Sequence, residues 1–252
     1  MLDYQAKKDL LTNKIILVTG AGDGIGRTAA ITYAAHGATV ILLGRTQRKL
    51  EAVYDQIVAQ GYPQPAIMPL DLASATVGDY QHMAALIDAQ FGRLDGLLHN
   101  ASLLGTLTLL EQLPLQELEL LLKVNVVAEL AMTQALLPLL RQASTASILF
   151  TSSGVGRKGR AYWGAYAISK FATEGMMQVL ADEIDGSSVR ANSINPGGTR
   201  TTMRASAYPA EDPLTLKTPQ EIMPLYLYLM GDDSLHENGQ AFSAQLKPTI
   251  SK

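Results

Sequence analysis

The chain has 252 residues, 47% of them hydrophobic and 17% charged, a size and balance that suit one large α/β domain, residues 1–252, with a substantial core. Its formal net charge of −3 argues against nucleic acid or an anionic membrane as a partner. It has no cysteine, which excludes disulfides, thiolate catalysis and zinc–thiolate sites and agrees with a cytoplasmic, reducing setting.

Short apolar runs alternate with longer amphipathic stretches. Ile15 to Val18 reads as a strand that runs into a glycine-rich turn, followed by a helix from Gly24 to His36. Thr39 to Leu43 is a second strand, rich in branched residues, and 48–60 a second helix closed by Gly61. Ala66 to Leu70 is a third strand. Pro69 inside it cannot donate to a ladder and is tolerated only at a sheet edge or a bulge, and the edge suits the third strand of a Rossmann order. A helix over 80–91, a strand over 94–99, a long apolar helix over 116–137 bent near Pro138, and a strand over 146–150 follow. Residues 163–184 form a further helix and 189–194 a sixth strand. The stretch 198–219 is expected to be irregular and to act as a lid. A helix over 219–230 and a short strand near Ala241 close the chain. The alternation implies a doubly wound, Rossmann-type sheet, mostly parallel, of seven strands in order 3-2-1-4-5-6-7 with helices on both faces. The amino terminus has no apolar signal core, and no run is read as long enough to span a bilayer.

Two motifs carry chemistry. The first is the turn Thr19-Gly-Ala-Gly-Asp-Gly-Ile-Gly26 between a strand and a helix. Glycines there permit a tight turn and a close backbone approach to a pyrophosphate, and the helix amino end offers free N–H groups. Thr19, Gly20, Gly22, Asp23, Gly24, Ile25 and Gly26 are therefore candidate cofactor contacts, as are Tyr166 and Lys170 farther along the chain. The second strand ends in Gly44-Arg45-Thr46, where an NAD site usually carries an acid for the ribose. Arg45 instead suits a 2′-phosphate, so NADP(H) is expected over NAD(H), with Asp23 pointing away from that phosphate. The second motif is Tyr166 with Lys170, four residues apart on one helix face, and Ser153 thirteen residues before Tyr166. A phenol, an ammonium and a strand-end hydroxyl can handle the proton of a carbonyl group. His36, His82, His99 and His236 show no metal-ligand spacing, and no metal is expected.

Together these motifs resemble those of the short-chain dehydrogenase/reductase family and, within it, an uncharacterised bacterial branch, the YciK-like oxidoreductases, from Lys14 to about Phe242. The resemblance implies that Asp71, with Leu72 beside it, meets the adenine and that Asn100-Ala101 flanks the cofactor. It implies a catalytic set of Asn125, Ser153, Tyr166 and Lys170, in which Asn125 holds a water that links Lys170 to solvent. It further implies that Pro196-Gly197 covers the nicotinamide, with Thr199 or Thr201 on its carboxamide. The chain departs from the family pattern at His99 and Ser102, which flank Asn100-Ala101, and at Phe242-Ser-Ala-Gln245. The Phe242–Gln245 departure puts the family's tetramer contact in question. A homodimer or homotetramer is implied, the dimer through the long helices.

The function expected is hydride transfer between NADP(H) and a ketone, aldehyde or secondary alcohol, with Tyr166 as general acid/base. The alternative is a nucleotide-binding regulatory or assembly protein with little turnover. Leu103, Leu104, Val155, Tyr162, Trp163, Met203 and Tyr208 are expected around a mainly apolar substrate, with Arg200 or Arg204 as an optional anion contact.

Overall fold

The computed structural model describes residues 3–245. Seven parallel strands form one sheet in the order β3-β2-β1-β4-β5-β6-β7, the order expected. They are β1 (Ile15–Thr19), β2 (Thr39–Gly44), β3 (Ala66–Pro69), β4 (Gly96–His99), β5 (Ala146–Thr151), β6 (Val189–Asn195) and β7 (Ala241–Ser243). β1, β2 and β5 are branched and apolar along most of their length, and these strands with β4 and the more polar β6 are buried on both faces. β3 is the edge strand, where the missing N–H of Pro69 costs no ladder bond, and Leu70 N still donates to Gly44 O at 3.1 Å.

The helices are α1 (Gly24–Ala35), α2 (Gln47–Ala59), α3 (Val77–Phe91), α4 (Leu115–Leu122), α5 (Ala128–Leu140), α6 (Gly164–Glu183), α7 (Thr202–Ala207) and α8 (Met223–Met230). One face of the sheet is covered by α1, α2 and α8 around Tyr33, Leu42 and Tyr226. The other is covered by α3, α5 and α6 around Leu97, Leu136, Phe150 and Met177. α3 starts a turn earlier than expected, because Thr76 and Asp79 form a reciprocal capping box. Gly92, at φ 70°, ends it in the left-handed conformation.

Two expectations change. The apolar helix over 116–137 is interrupted: Lys123–Val127 forms a π-helical turn between α4 and α5, and the helix then runs through Pro138 to Leu140. The whole run Leu115–Leu140 has a mean hydropathy of 1.5 in its most apolar window, enough by length and composition to cross a membrane, contrary to the sequence expectation. Its Leu121, Met132, Leu136 and Leu140 are nevertheless buried in the core. The second change is in the stretch 198–219. It contains α7 and a short turn at Pro213–Thr215, and Arg204 and Arg200 tie it together by side-chain bonds.

The order in which strands are added reverses between β1 and β4. β2 and β3 follow to one side of β1, and β4 to β7 run to the other. A cleft outside the carboxyl ends of the strands is the expected place for a ligand in such a sheet, and a cavity of about 960 Å3 opens there.

Candidate active site

One end of the cavity is built by the glycine turn. Gly20 (φ 66°) and Gly24 (φ 52°) both require the left-handed conformation. A Cβ on Gly22 would lie 2.9 Å from Lys49 Cβ. Gly26 does not reach the cavity. It lets α1 press against the turn, since a Cβ there would meet the Gly20 carbonyl oxygen and Asn100 Nδ2. Thr19 is buried as well. Its Oγ1 accepts from Asn100 N at 2.8 Å and Ala101 N at 2.9 Å and donates to Leu98 O, so it pins the end of β4 to the end of β1. Asn100 and Ala101 thereby line the cavity between the turn and the strand ends. The residues present fit a dinucleotide: a glycine cradle at a helix amino end, opening into a cleft long enough to reach the strand ends beyond it.

Arg45 sits on the cavity rim at the end of β2, exposed and with no hydrogen-bonded or ionic protein partner among the described residues. Asp23 Oδ1 caps α1 by accepting from Gly24 N at 2.8 Å, while Oδ2 pairs with Lys49 Nζ at 2.6 Å. The hydrogen bond from Lys49 is the main reason this carboxyl is held below its usual range. Asp23 still lines the cavity, but its charge is matched by a lysine that sequence spacing did not suggest. Asp71 Oδ1 accepts from Ala73 N at 3.0 Å and shapes its own turn, with Leu72 beside it on the cavity wall. Ile25 also lines the wall.

The other end holds Ser153, Tyr166 and Lys170. Ser153 ends the loop after β5, and its Oγ accepts from Val155 N at 3.4 Å, capping a short turn. The turn reaches α6 through Gly156, where a Cβ would fall 2.8 Å from Lys170 Cβ. Tyr166 is 9% exposed and Lys170 is fully enclosed. Burial pushes the Tyr166 phenol up to about 12, with the Ser153 and Ser102 hydroxyls drawing it the other way, so the free site carries a neutral proton donor. Lys170 Nζ donates to Thr151 O at 2.8 Å and lies 5.8 Å from the Tyr166 ring centre. Burial draws the Lys170 ammonium downward, and the nearby Glu129 carboxylate opposes that.

Asn125 lies outside the cavity, fully buried in the π-helical turn. Its Oδ1 accepts from Leu103 N at 2.8 Å, and its Nδ2 donates to Leu103 O at 2.9 Å and to Ser169 Oγ at 3.0 Å. Ser169 in turn donates to Tyr166 O at 2.8 Å. The Asn125 side chain thus locks the Leu103 loop to α6. The wider turn that carries it is of a kind that often marks functional positions.

Pro196, Gly197, Thr199 and Thr201 close the cavity from the end of β6. Thr199 Oγ1 donates to Pro196 O at 3.3 Å, and Thr201 caps α7 through Arg204 N. Gln245 Nε2 donates to Pro196 O at 2.9 Å and Gly198 O at 2.8 Å, a tether with no signal in the sequence. Both arginines expected as optional anion contacts are engaged within the protein, and of the two only Arg204 lines the cavity. Arg204 is held by both Glu211 oxygens at 2.6 Å and lies 3.8 Å over the Tyr208 ring. Arg200 bonds Pro213 O at 2.7 Å and does not line the cavity. Tyr162 (φ 73°) faces a separate groove, away from the cavity. The wall near the phenol is therefore Leu103, Leu104, Val155, Met203 and Trp163, whose ring lies 5.8 Å from both Tyr166 and Tyr208. His99 is a packing residue, stacked on Phe150, bonded to Thr133 Oγ1 and kept neutral by burial, which lowers it to about 3. Ser102 adopts ordinary negative φ, so replacing the family's glycine leaves the turn unstrained. No group of metal-ligating side chains occurs among the described residues.

The short chain dehydrogenase family model matches residues 14–212. The chain belongs to that family. It is 56% identical, over the full length of both chains, to the uncharacterised oxidoreductase YciK of Escherichia coli K12. A short chain dehydrogenase from Shigella flexneri complexed with NADP matches 95% of this chain and 100% of its own, with a TM-score of 0.93 and 57% identity. One from Escherichia coli CFT073 complexed with NADPH matches 96% of this chain and 100% of its own, at 0.94 and 57%. At 28% identity over 91% of this chain and 95% of its own, a 3-oxoacyl-[acyl-carrier-protein] reductase from Thermotoga maritima is also similar. The protein is thus an oxidoreductase of the short-chain family.

Proposed function

We propose that the protein is an NADP(H)-dependent oxidoreductase acting on a ketone, aldehyde or secondary alcohol, with Tyr166 as general acid/base. The observation that carries this reading is the shared cavity: the glycine turn and Arg45 stand at one end, and Ser153, Tyr166 and Lys170 at the other. The NADP and NADPH bound by the Shigella and Escherichia relatives support the choice of cofactor. The cofactor, when bound, supplies or accepts the hydride.

In the reducing direction Tyr166 gives its proton to the carbonyl oxygen, a role that suits a phenol kept neutral by burial. Ser153 donates a hydrogen bond to the same oxygen and polarises it. In the oxidising direction Tyr166 must act as phenolate, and the Lys170 ammonium favours that form. Trp163, Tyr208 and Met203 exclude water from the reacting centre, and with Arg204 bound to Glu211 the pocket selects an apolar substrate. Gly20, Gly22 and the amino end of α1 take the pyrophosphate, Arg45 takes the 2′-phosphate, and Asp71 with Leu72 borders the adenine. Asn125 acts at one remove, by fixing the Leu103 wall and α6.

A homodimer is proposed through the π-helical turn, α5 and α6, whose outer faces leave Val127, Leu130, Ile168, Phe171 and Val179 between 40% and 59% exposed. The test of function is NADPH oxidation against a broad panel of apolar ketones and aldehydes. Turnover with at least one of them supports the reading, whereas NADPH binding without turnover on any would favour a nucleotide-binding regulator.

A further inference from the structure

Glu129 is the one acid in the inner layer of α5, in the sequence Ala-Glu-Leu-Ala-Met, and it follows Asn125 by one helical turn. It is 4% exposed. Its Oε2 accepts from Thr173 Oγ1 at 2.9 Å. Its Oε1 has no hydrogen-bond partner and lies 4.0 Å from Lys170 Nζ. A buried carboxylate with an unpaired oxygen is costly, and a buried ion pair is seldom more stabilising than apolar packing of the same volume. Stability alone therefore gives little reason for an acid here. The Lys170 ammonium has Thr151 O at 2.8 Å, this carboxylate at 4.0 Å and the Tyr166 ring centre at 5.8 Å. Burial raises the Glu129 carboxyl to about 7, against the pull of Lys170 and Thr173. The other titratable groups that bear on the pair are Tyr166 and Glu174 on α6 and His99 on β4, the last held neutral by burial.

We propose that Glu129 is a positioning residue for the reaction, a buried counter-ion that holds the Lys170 ammonium beside the phenol and, by exchanging its own proton with water, sets how much positive charge the pair presents to Tyr166. With Glu129 ionised the pair is neutral overall and the phenol keeps its proton more firmly. With Glu129 protonated the ammonium is uncompensated and favours the phenolate. The mechanistic part of this rests on Tyr166 and Lys170 being the acid/base pair.

The test is infrared spectroscopy of the cofactor-free protein, wild type minus Glu129→Gln, from mildly acidic to mildly alkaline pH. The expected result is a protonated-carboxyl C=O band that the glutamine variant lacks and that fades as pH rises through neutrality. In Lys170→Met the band should persist to higher pH, because the charge that favours the carboxylate is gone. No carboxyl band assignable to Glu129 at any pH, or a titration unmoved in Lys170→Met, overturns the proposal. In turnover, the pH profile of kcat should show an inflection in the same range. Thr173→Val, which removes the hydrogen bond and leaves the charge, should keep that inflection, and Glu129→Gln should lose it. Identical profiles for wild type and Glu129→Gln would reduce Glu129 to scaffolding. Should Glu129→Gln fail to fold, Glu129→Met supplies the reference spectrum instead, and the Lys170→Met titration then decides the coupling. Full activity in Tyr166→Phe would remove the acid/base reading without touching the infrared result.

Discussion

Arg45→Ala should separate the two nicotinamide cofactors. The Arg45 side chain stands exposed on the cavity rim with no hydrogen-bonded or ionic protein partner among the described residues, so its removal disturbs nothing else in the fold. A hydrogen bond to a charged group is worth about 1.5–3 kcal/mol, and solvent screening puts this one in the lower part of that range. A loss of about 1.5–2 kcal/mol corresponds to roughly 10- to 30-fold in Kd for NADPH, with NADH affinity nearly unchanged. The neighbouring Lys49–Asp23 pair sharpens the test. Lys49→Ala leaves the Asp23 carboxylate unmatched on the same rim, so it should also weaken NADPH more than NADH. Adding Asp23→Asn should recover part of that loss, a coupling that a double-mutant cycle reads directly. Titration calorimetry, or quenching of the single tryptophan, Trp163, on the cavity wall, would supply the affinities. Equal losses for both cofactors in Arg45→Ala would refute the phosphate role.

Three further outcomes follow from the geometry. Gly26→Ala must push α1 away from the Gly20 carbonyl and should destabilise the fold by about 1–3 kcal/mol, seen as a thermal midpoint lowered by several degrees; an unchanged midpoint would mean the turn yields easily. Gln245→Ala frees the Pro196–Gly198 loop from two hydrogen bonds and should raise KM for NADPH several-fold with a smaller effect on kcat, and an unchanged KM would show the tether to be incidental. Val127→Lys, on the outer apolar face of the π-helical turn, should convert a dimer to monomer in analytical ultracentrifugation, and a dimer that survives it would move the interface elsewhere.

The strand order and both ends of the cavity were legible in the sequence because they rest on local signals. The glycine turn, the branched strands, Pro69 at an edge and the four-residue Tyr166–Lys170 spacing each speak through neighbours in the chain. What escaped depends on contacts between distant segments. Lys49 neutralises Asp23 from 26 positions away, Gln245 reaches back to Pro196, and Glu211 pairs with Arg204 at the cavity wall. The π-helical turn left no trace in composition, since Lys-Val-Asn-Val-Val continues the surrounding apolar pattern, and it carries Asn125 into a locking role. Glu129 did leave a signal, a lone acid in an apolar helix one turn after Asn125, but the apolar periodicity around it read as core. Thr19 and Gly26 were assigned to the cofactor because the glycine motif contains them, while their side-chain positions serve the turn itself.

The most direct measurement of the central claim is NADPH oxidation by wild type and Tyr166→Phe on one carbonyl substrate found in the panel, with NADPH affinity measured alongside. The phenol's hydroxyl is the proton source in this account, so the variant should bind NADPH nearly as well and turn over at least about 10²-fold more slowly. A Tyr166→Phe enzyme that binds NADPH and keeps wild-type kcat would contradict the account.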